Sequence, residues 1–336
     1  MVKGETARRV GAWIAGGTVG AVAAPTLGWL AYSTWGVDHD LPLPPAIDAE
    51  RRTLRDAASG ELSYYADAAA PGRPLVLLHS VNAAASAYET GPLFERYRAE
   101  RPVYALDLPG FGFSERGDRP YSPRLYADAV LALLRAVASA GGADVVALSL
   151  GCEFAARAAL EQPELVRSLA LISPSGLGDG RGDDEPRRGR SDGTSDRPSR
   201  LFASPLWAQA FYDLLATRPS IHYFLARSFV GPVDRGLAEY AYATSHQPGA
   251  RHAPLAFIRG RLFSPDIRPA VYERLAQPVL VLYDRDSYVS FDSLPGVLQR
   301  RPNWRAERIV PTKGLPLFER PEETTQALDR FWGGIG

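Results

Sequence analysis

Beyond residue 70 the chain alternates short runs of β-branched and other apolar residues with longer stretches of helical period. That alternation predicts a parallel sheet covered by helices. Predicted strands are Pro74–His79, Pro102–Asp107, Asp144–Leu148, Val166–Ile172, Pro278–Tyr283 and Arg305–Pro311, with Glu61–Ala66 as an antiparallel edge strand upstream. Between them, helical periodicity covers Ser86–Glu100, Ser122–Ala140, Leu150–Glu161, Phe291–Arg300 and Glu322–Trp332. A near-continuous apolar run such as Val279–Leu282 fits a strand buried on both faces. The rhythm breaks at Gly176–Arg200, where 25 residues hold one leucine and no aromatic side chain. So little apolar surface predicts a disordered loop. The following stretch, Leu201–Phe263, is helical and aromatic-rich, and as an insertion between two strands it predicts a cap over the carboxyl edge of the sheet.

The N-terminus has a different pattern. No charged residue occurs from Val10 to Val37, and 28 residues at 1.5 Å rise would make a helix of about 42 Å, longer than a ~30 Å hydrocarbon core. Trp13 near one end and Trp29, Tyr32 and Trp35 near the other resemble interfacial aromatic belts. Lys3, Arg8 and Arg9 before the run, against Asp38 and Asp40 after it, orient it with the N-terminus in the cytoplasm and the folded body outside. The expectation is a single-pass N-terminal anchor, so that the membrane is a partner through Val10–Val37. A cleaved secretory signal ending at Ala21-Val22-Ala23, or a Gly/Ala-rich arm of a soluble protein, are the alternatives. Leu41–Pro45 reads as a stiff spacer.

The division expected is therefore an anchor or signal with its spacer over 1–45, an α/β core over 46–175, the disordered loop over 176–200, a helical cap over 201–270 and the rest of the core over 271–336. Of the 336 residues, Lys and Arg number 38 and Asp and Glu 38. Zero net charge removes the basic footprint of a nucleic-acid-binding surface, and no nucleic-acid partner is expected. One cysteine and five scattered histidines offer no metal-ligand spacing, so neither a metal nor an organic cofactor is expected. Oligomeric state is left open.

Val145–Gly151 carries the sharpest chemical signal. An apolar strand runs into Ser149 and then directly into a helix, with Ala147 two residues before the serine and Gly151 two after. Small residues at both places suit a tight strand-to-helix elbow that lifts a serine above the sheet edge. An N-capping serine at an ordinary junction is the alternative. Cys152, three positions beyond Ser149, reads as a packed apolar residue.

Five segments, Leu75–Ser80, Asp107–Ser114, Ala147–Gly151, Pro278–Asp286 and Leu315–Glu322, together resemble the α/β-hydrolase family, in that family's order. The resemblance implies a three-layer α/β fold with a cap and a serine nucleophile at Ser149. It also implies an oxyanion hole made by the Val81 and Leu150 N–H groups, an acid at Asp286 with Asp284 as rival, and a histidine after the last strand. Asn82, Phe111 and Phe113 would line the substrate pocket. Ser80 stands where the family has a glycine.

Where the histidine belongs the chain has Gly314, and no histidine follows His252. General-base assistance contributes roughly 10²–10⁴-fold, so its loss decides how much turnover survives. His246 or His252 from the cap, or Lys313 with its pKa lowered by burial, are the candidate bases. His79, at a strand end, reads as a backbone-bonding structural residue. Two functional expectations follow: a serine hydrolase acting on a small-molecule ester or related acyl substrate, or an impaired hydrolase-fold protein that binds a small apolar ligand or a protein partner.

Overall fold

A computed structural model describes residues 26–178 and 205–335. Eight strands form one sheet: β1 (Glu50–Asp56), β2 (Gly60–Asp67), β3 (Leu75–Leu78), β4 (Val103–Asp107), β5 (Ala143–Leu148), β6 (Val166–Ile172), β7 (Val279–Tyr283) and β8 (Trp304–Arg308). Their spatial order is β1-β2-β4-β3-β5-β6-β7-β8. β2 runs antiparallel to both β1 and β4, and from β4 to β8 every pairing is parallel.

Alternate residues of the central strands enter different cores, as the two-residue period of a strand requires. Val76, Leu78, Val145, Ala147, Leu169, Leu171, Val279 and Val281 pack with helices Pro123–Val137, Gly151–Glu161 and Leu294–Arg300. Leu75, Leu77, Val146, Leu148, Ala170, Ile172, Leu280 and Leu282 pack on the other face with helices Gly91–Tyr97 and Pro321–Gly333. Burial on both faces explains the uninterrupted apolar runs. Truncating one of these fully buried leucines to alanine costs about 2–5 kcal/mol. Helix Pro123–Val137 begins where Ser122 caps the Leu125 N–H at 3.3 Å with proline at the first turn, a combination that satisfies one terminal donor and needs none at the proline.

Sequence reading missed β1. Glu50-Arg-Arg-Thr-Leu-Arg-Asp56 is largely exposed, and its charges suit an outer strand that must not pair with another chain. The edge role expected of Glu61–Ala66 accordingly passes to β1, and β2 is an interior strand.

Between β6 and β7 lie cap helices Pro205–Leu215, Arg218–Ala226, Arg235–Ser245 and His252–Ile258. Arg116 fastens the cap to the core: its guanidinium donates to Gly112 O in the loop after β4 and, at 2.7 and 2.8 Å, to the carbonyl and hydroxyl of Thr244.

Two segments depart from expectation. No helix among the described residues is long and apolar enough to cross a membrane, and residues 26–35 form a short helix docked on the cap. Trp29 Nε1 donates to Ala210 O at 2.8 Å, Ser33 Oγ donates to Asp213 at 2.5 Å, and His39 Nε2 meets the same carboxylate at 3.0 Å. Within the later part of the run Val10–Val37, Trp29 and Ser33 are thus committed to protein contacts, while Leu27, Tyr32 and Trp35 are exposed. Val10–Pro25 lie outside the described residues. Gly176–Gly178 belong to the packed body instead of a disordered loop: Leu177 is fully buried and its carbonyl accepts from the Ser293 N–H at 2.8 Å. The remainder of that loop, from 179, lies outside the described residues.

Candidate active site

The parallel register Leu78↔Ala147 makes β3 and β5 end side by side, and Leu148↔Ile172↔Leu282↔Glu307 carries the same edge across to β8. The connections that follow β3, β4, β5, β6, β7 and β8 therefore leave one rim of the sheet, among them residues 79–86, 149–150, 173–178 with the cap, 284–293 and 309–315. At open parallel sheets this carboxyl edge is where sites are built.

Ser149 turns the chain with φ +50°, a left-handed conformation that a non-glycine residue adopts only when its surroundings enforce it. Two constraints do so. Its N–H continues the sheet ladder to Ile172 O at 2.8 Å, while its carbonyl already accepts from the Cys152 N–H at 3.1 Å as the helix starts. Gly151 meets the neighbouring loop so closely that a Cβ there would lie 2.5 Å from His79 O. The Ser149 side chain is partly exposed, and its hydroxyl makes no hydrogen bond among the described residues. Cys152 is fully buried, its thiol donating to Ala147 O at 3.1 Å and pushed well up in pKa by burial, as its packed reading expects.

The loop facing the elbow is held from beneath. His79 is fully buried; Nε2 accepts from the Leu108 N–H at 2.9 Å, which leaves the proton on Nδ1 to be donated to Ser80 O at 2.5 Å. Burial lowers its pKa to about 4, so the ring is neutral and fixed. Glu89, also buried, accepts from Ser80 N–H at 2.8 Å, Ser80 Oγ at 3.0 Å and Asn82 Nδ2 at 2.9 Å. Burial outweighs these donors and raises its pKa. The serine that replaces a glycine in this loop is thereby accommodated, its hydroxyl turned onto a carboxylate. Val81 and Leu150 N–H donate to nothing among the described residues, which leaves two amide hydrogens at the elbow rim.

Sequence reasoning missed Glu89. Its one signal is isolation, because no other Asp, Glu, Lys or Arg lies between Arg73 and Glu95. A charge alone in an apolar stretch is buried only with partners.

Of the proposed pocket residues, Asn82 spends its amide on Glu89, Ser80 and the Ala84 N–H. Phe111 is core, edge-on to His79 at 5.5 Å. Phe113 lies beneath Arg51 at 4.4 Å and borders a cleft with Arg55, Glu61 and Glu115 at the β1–β2 end. The side chains of Asn82 and Phe111 are thus committed to the protein's own packing, and that of Phe113 to the far edge.

The rim after β7 and β8 distinguishes the two aspartates. Asp284 accepts from the Thr312 N–H at 3.1 Å and pairs with Arg308 at 2.5 Å; burial opposes ionisation, but these donors hold its pKa below the usual range. Asp286 faces Gly314: a Cβ at 314 would lie 2.9 Å from its Oδ2. Its Oδ1 accepts from Tyr288 and Val289 N–H at 2.7 and 3.3 Å, and burial, working against those bonds and the Lys313 charge, lifts its pKa to about 6. Gly314 itself has φ +101°, a region that strains any other residue.

Neither histidine proposed as base meets Ser149. His246 Nδ1 donates to Tyr242 O at 2.7 Å, with the ring against Tyr242, and its carbonyl accepts from Leu41 on the N-terminal arm. His252 Nδ1 pairs with Asp118 at 3.4 Å. Lys313 is half-buried next to Gly314, its N–H donating to Glu319 at 2.8 Å, and it makes no hydrogen bond to Ser149. Among the described residues no His, Cys, Asp or Glu cluster has metal-holding geometry.

A family model described as the alpha/beta hydrolase family matches residues 75–327. The chain belongs to this family. It is 29% identical over 276 residues to a pimeloyl-[acyl-carrier protein] methyl ester esterase of Xanthomonas campestris pv. campestris, covering 77% of this chain and 95% of that protein. It is 28% identical over 293 residues to a 2-(acetamidomethylene)succinate hydrolase of Mesorhizobium japonicum, covering 85% and 93%. Among solved structures, a bacterial membrane phospholipase A superposes with a TM-score of 0.65 at 21% identity, over 98% of this chain and 95% of that one. A Thermogutta terrifontis esterase gives 0.64 at 19%, over 85% and 99%. At these identities the structural likenesses establish the shared fold.

Proposed function

We propose that this alpha/beta hydrolase cleaves a carboxylic ester or related acyl compound, with Ser149 as nucleophile. The carrying observation is the enforced left-handed turn at Ser149, at a rim where its hydroxyl and two amide hydrogens have no hydrogen-bond partner among the described residues. In this reading Ser149 Oγ attacks the acyl carbon, and the Val81 and Leu150 N–H groups receive the charge that develops on the carbonyl oxygen. The positive end of helix Gly151–Glu161 adds to that stabilisation. Asp286 is the orienting acid, supported by its place against position 314. The esterase and hydrolase named above, similar over most of their length, support an acyl substrate, carried on a protein in the first name and of small-molecule size in the second.

A fluorophosphonate probe applied to the full chain tests the reading. Labelling of wild type and none of Ser149→Ala is expected, and equal labelling of both removes Ser149 from the role. A second reading is favoured by Gly314, which leaves the serine proton without an acceptor in the described chain: the protein binds an acyl ligand and turns it over little. Labelling at a rate no faster than that of an ordinary surface serine supports this second reading.

A further inference from the structure

We propose that the notch between Asp286 and Gly314 binds a nitrogen base from outside the chain, one bearing both an N–H and a free lone pair, which serves as the proton acceptor for Ser149. This rests on Ser149 being the nucleophile. Three features define the notch. No side chain among the described residues donates to Asp286 Oδ2, whereas Oδ1 is held by the Tyr288 and Val289 N–H groups and the Ser287 backbone also favours the charged carboxylate, which together fix its direction. Residue 314 has no side chain, and the space where one would start is bounded by Oδ2 at 2.9 Å and Ser228 Cβ at 3.8 Å. The loop bearing Asp286 is stitched to the cap through Ser287 Oγ to Arg227 O at 2.8 Å and Tyr288 Oη to Phe224 O at 3.0 Å, so the carboxylate is supported from both sides.

A planar azole has the required bonding: its N–H donates to Oδ2 and its second nitrogen presents a lone pair to the rim. The proton bookkeeping closes. As Ser149 Oγ bonds to the acyl carbon, its proton passes to the azole, and Asp286 stabilises the cation so formed. The cation returns the proton to the departing alkoxide. The azole then takes a proton from water as hydroxide adds to the acyl-enzyme, and gives it to Ser149 Oγ when that bond breaks. Ester and water become acid and alcohol, and the base is regenerated. The base is either a free small molecule or a group carried by the substrate.

The test measures hydrolysis of 4-nitrophenyl acetate by the full chain at neutral pH over a series of imidazole concentrations, with the Ser149→Ala rate subtracted. A saturating acceleration of at least about tenfold is expected. 1-Methylimidazole, which keeps the lone pair but has no N–H for Asp286, should give no saturable effect. Gly314→Ala, which fills the notch, and Asp286→Asn, which offers Oδ2 no charge, should each abolish the saturable part; circular dichroism identifies a variant that fails to fold. To distinguish the sources, an ester whose acyl chain carries an imidazole is compared with an isosteric phenyl ester. Preference for the former without added base identifies a substrate-borne group, and equal rates with full dependence on added imidazole identify a free one. Equal acceleration by imidazole and 1-methylimidazole, or a rise that is linear only, overturns the notch proposal. If Ser149 is labelled by the fluorophosphonate while imidazole has no saturable effect, the notch fails and the nucleophile stands; if no probe labels Ser149 with or without imidazole, both fall.

Discussion

The two halves of the rim are built to different standards. After β3 and β5, His79, Ser80 and Asn82 are held by hydrogen bonds from beneath, and the chain sustains a left-handed serine and a glycine pressed against a carbonyl. After β7 and β8, the carboxylate has its two backbone donors but faces a glycine where a base would stand. Strain of about 1–3 kcal/mol at one residue persists only where its surroundings over-determine it. If the proposed roles hold, the contrast teaches that binding an oxyanion and moving a proton are separable tasks in this fold, because the residues assigned to them hang from different strands and share only the rim.

The largest effect that would break this comparison is expected at Gly151. In Gly151→Ala the new methyl meets backbone of the adjoining loop, so it cannot be relieved by a rotamer change. A loss of about 3 kcal/mol in chemical denaturation, together with at least tenfold slower fluorophosphonate labelling, is expected; a neutral outcome would mean that the elbow is not tight. Next comes Glu89→Gln, which turns an amide nitrogen toward donors that now meet a carboxylate. A cost of about 1–3 kcal/mol follows, and, if the loop sets oxyanion geometry as proposed, labelling should slow while substrate KM changes little. Unaltered labelling would separate Glu89 from the site.

The smallest effect sharpens the other half. The Asp286 pKa of about 6 lies above its unfolded value of 3.8, so the folded state binds the extra proton between those values. Its contribution to stability is therefore fully present below pH 3.8 and is lost as pH rises through 6. Asp286→Asn removes that loss, so the variant should melt a few degrees above wild type at pH 7 and show no such gain below pH 4. A lower melting temperature at pH 7 would indicate that the carboxylate already has a cationic partner.

Much of this was legible beforehand, for identifiable reasons. The central strands announce themselves because both faces are buried, and the elbow because only small residues fit around it. β1 was illegible because an exposed edge strand is written in charges. Asp284 and Asp286 are indistinguishable by type and spacing, and long-range neighbours separate them: Arg308 and the Thr312 N–H hold Asp284, while Asp286 faces Gly314. The stretch around Trp29 and Ser33 reads as apolar and membrane-like in one dimension; its actual neighbours, Ala210 and Asp213, come from about 180 residues away.

That docking sets the order in which mechanical load enters the molecule. Tension on the chain ahead of Thr26 is delivered through Trp29, Ser33 and His39 to helix Pro205–Leu215, then at Leu41 to Gln247, and reaches the sheet layer after these, through Leu43 against the core and the Ala46 N–H bond to the Tyr65 hydroxyl at 2.8 Å. Whatever grips the N-terminus therefore pulls first on the helices above the rim and last on the sheet beneath it.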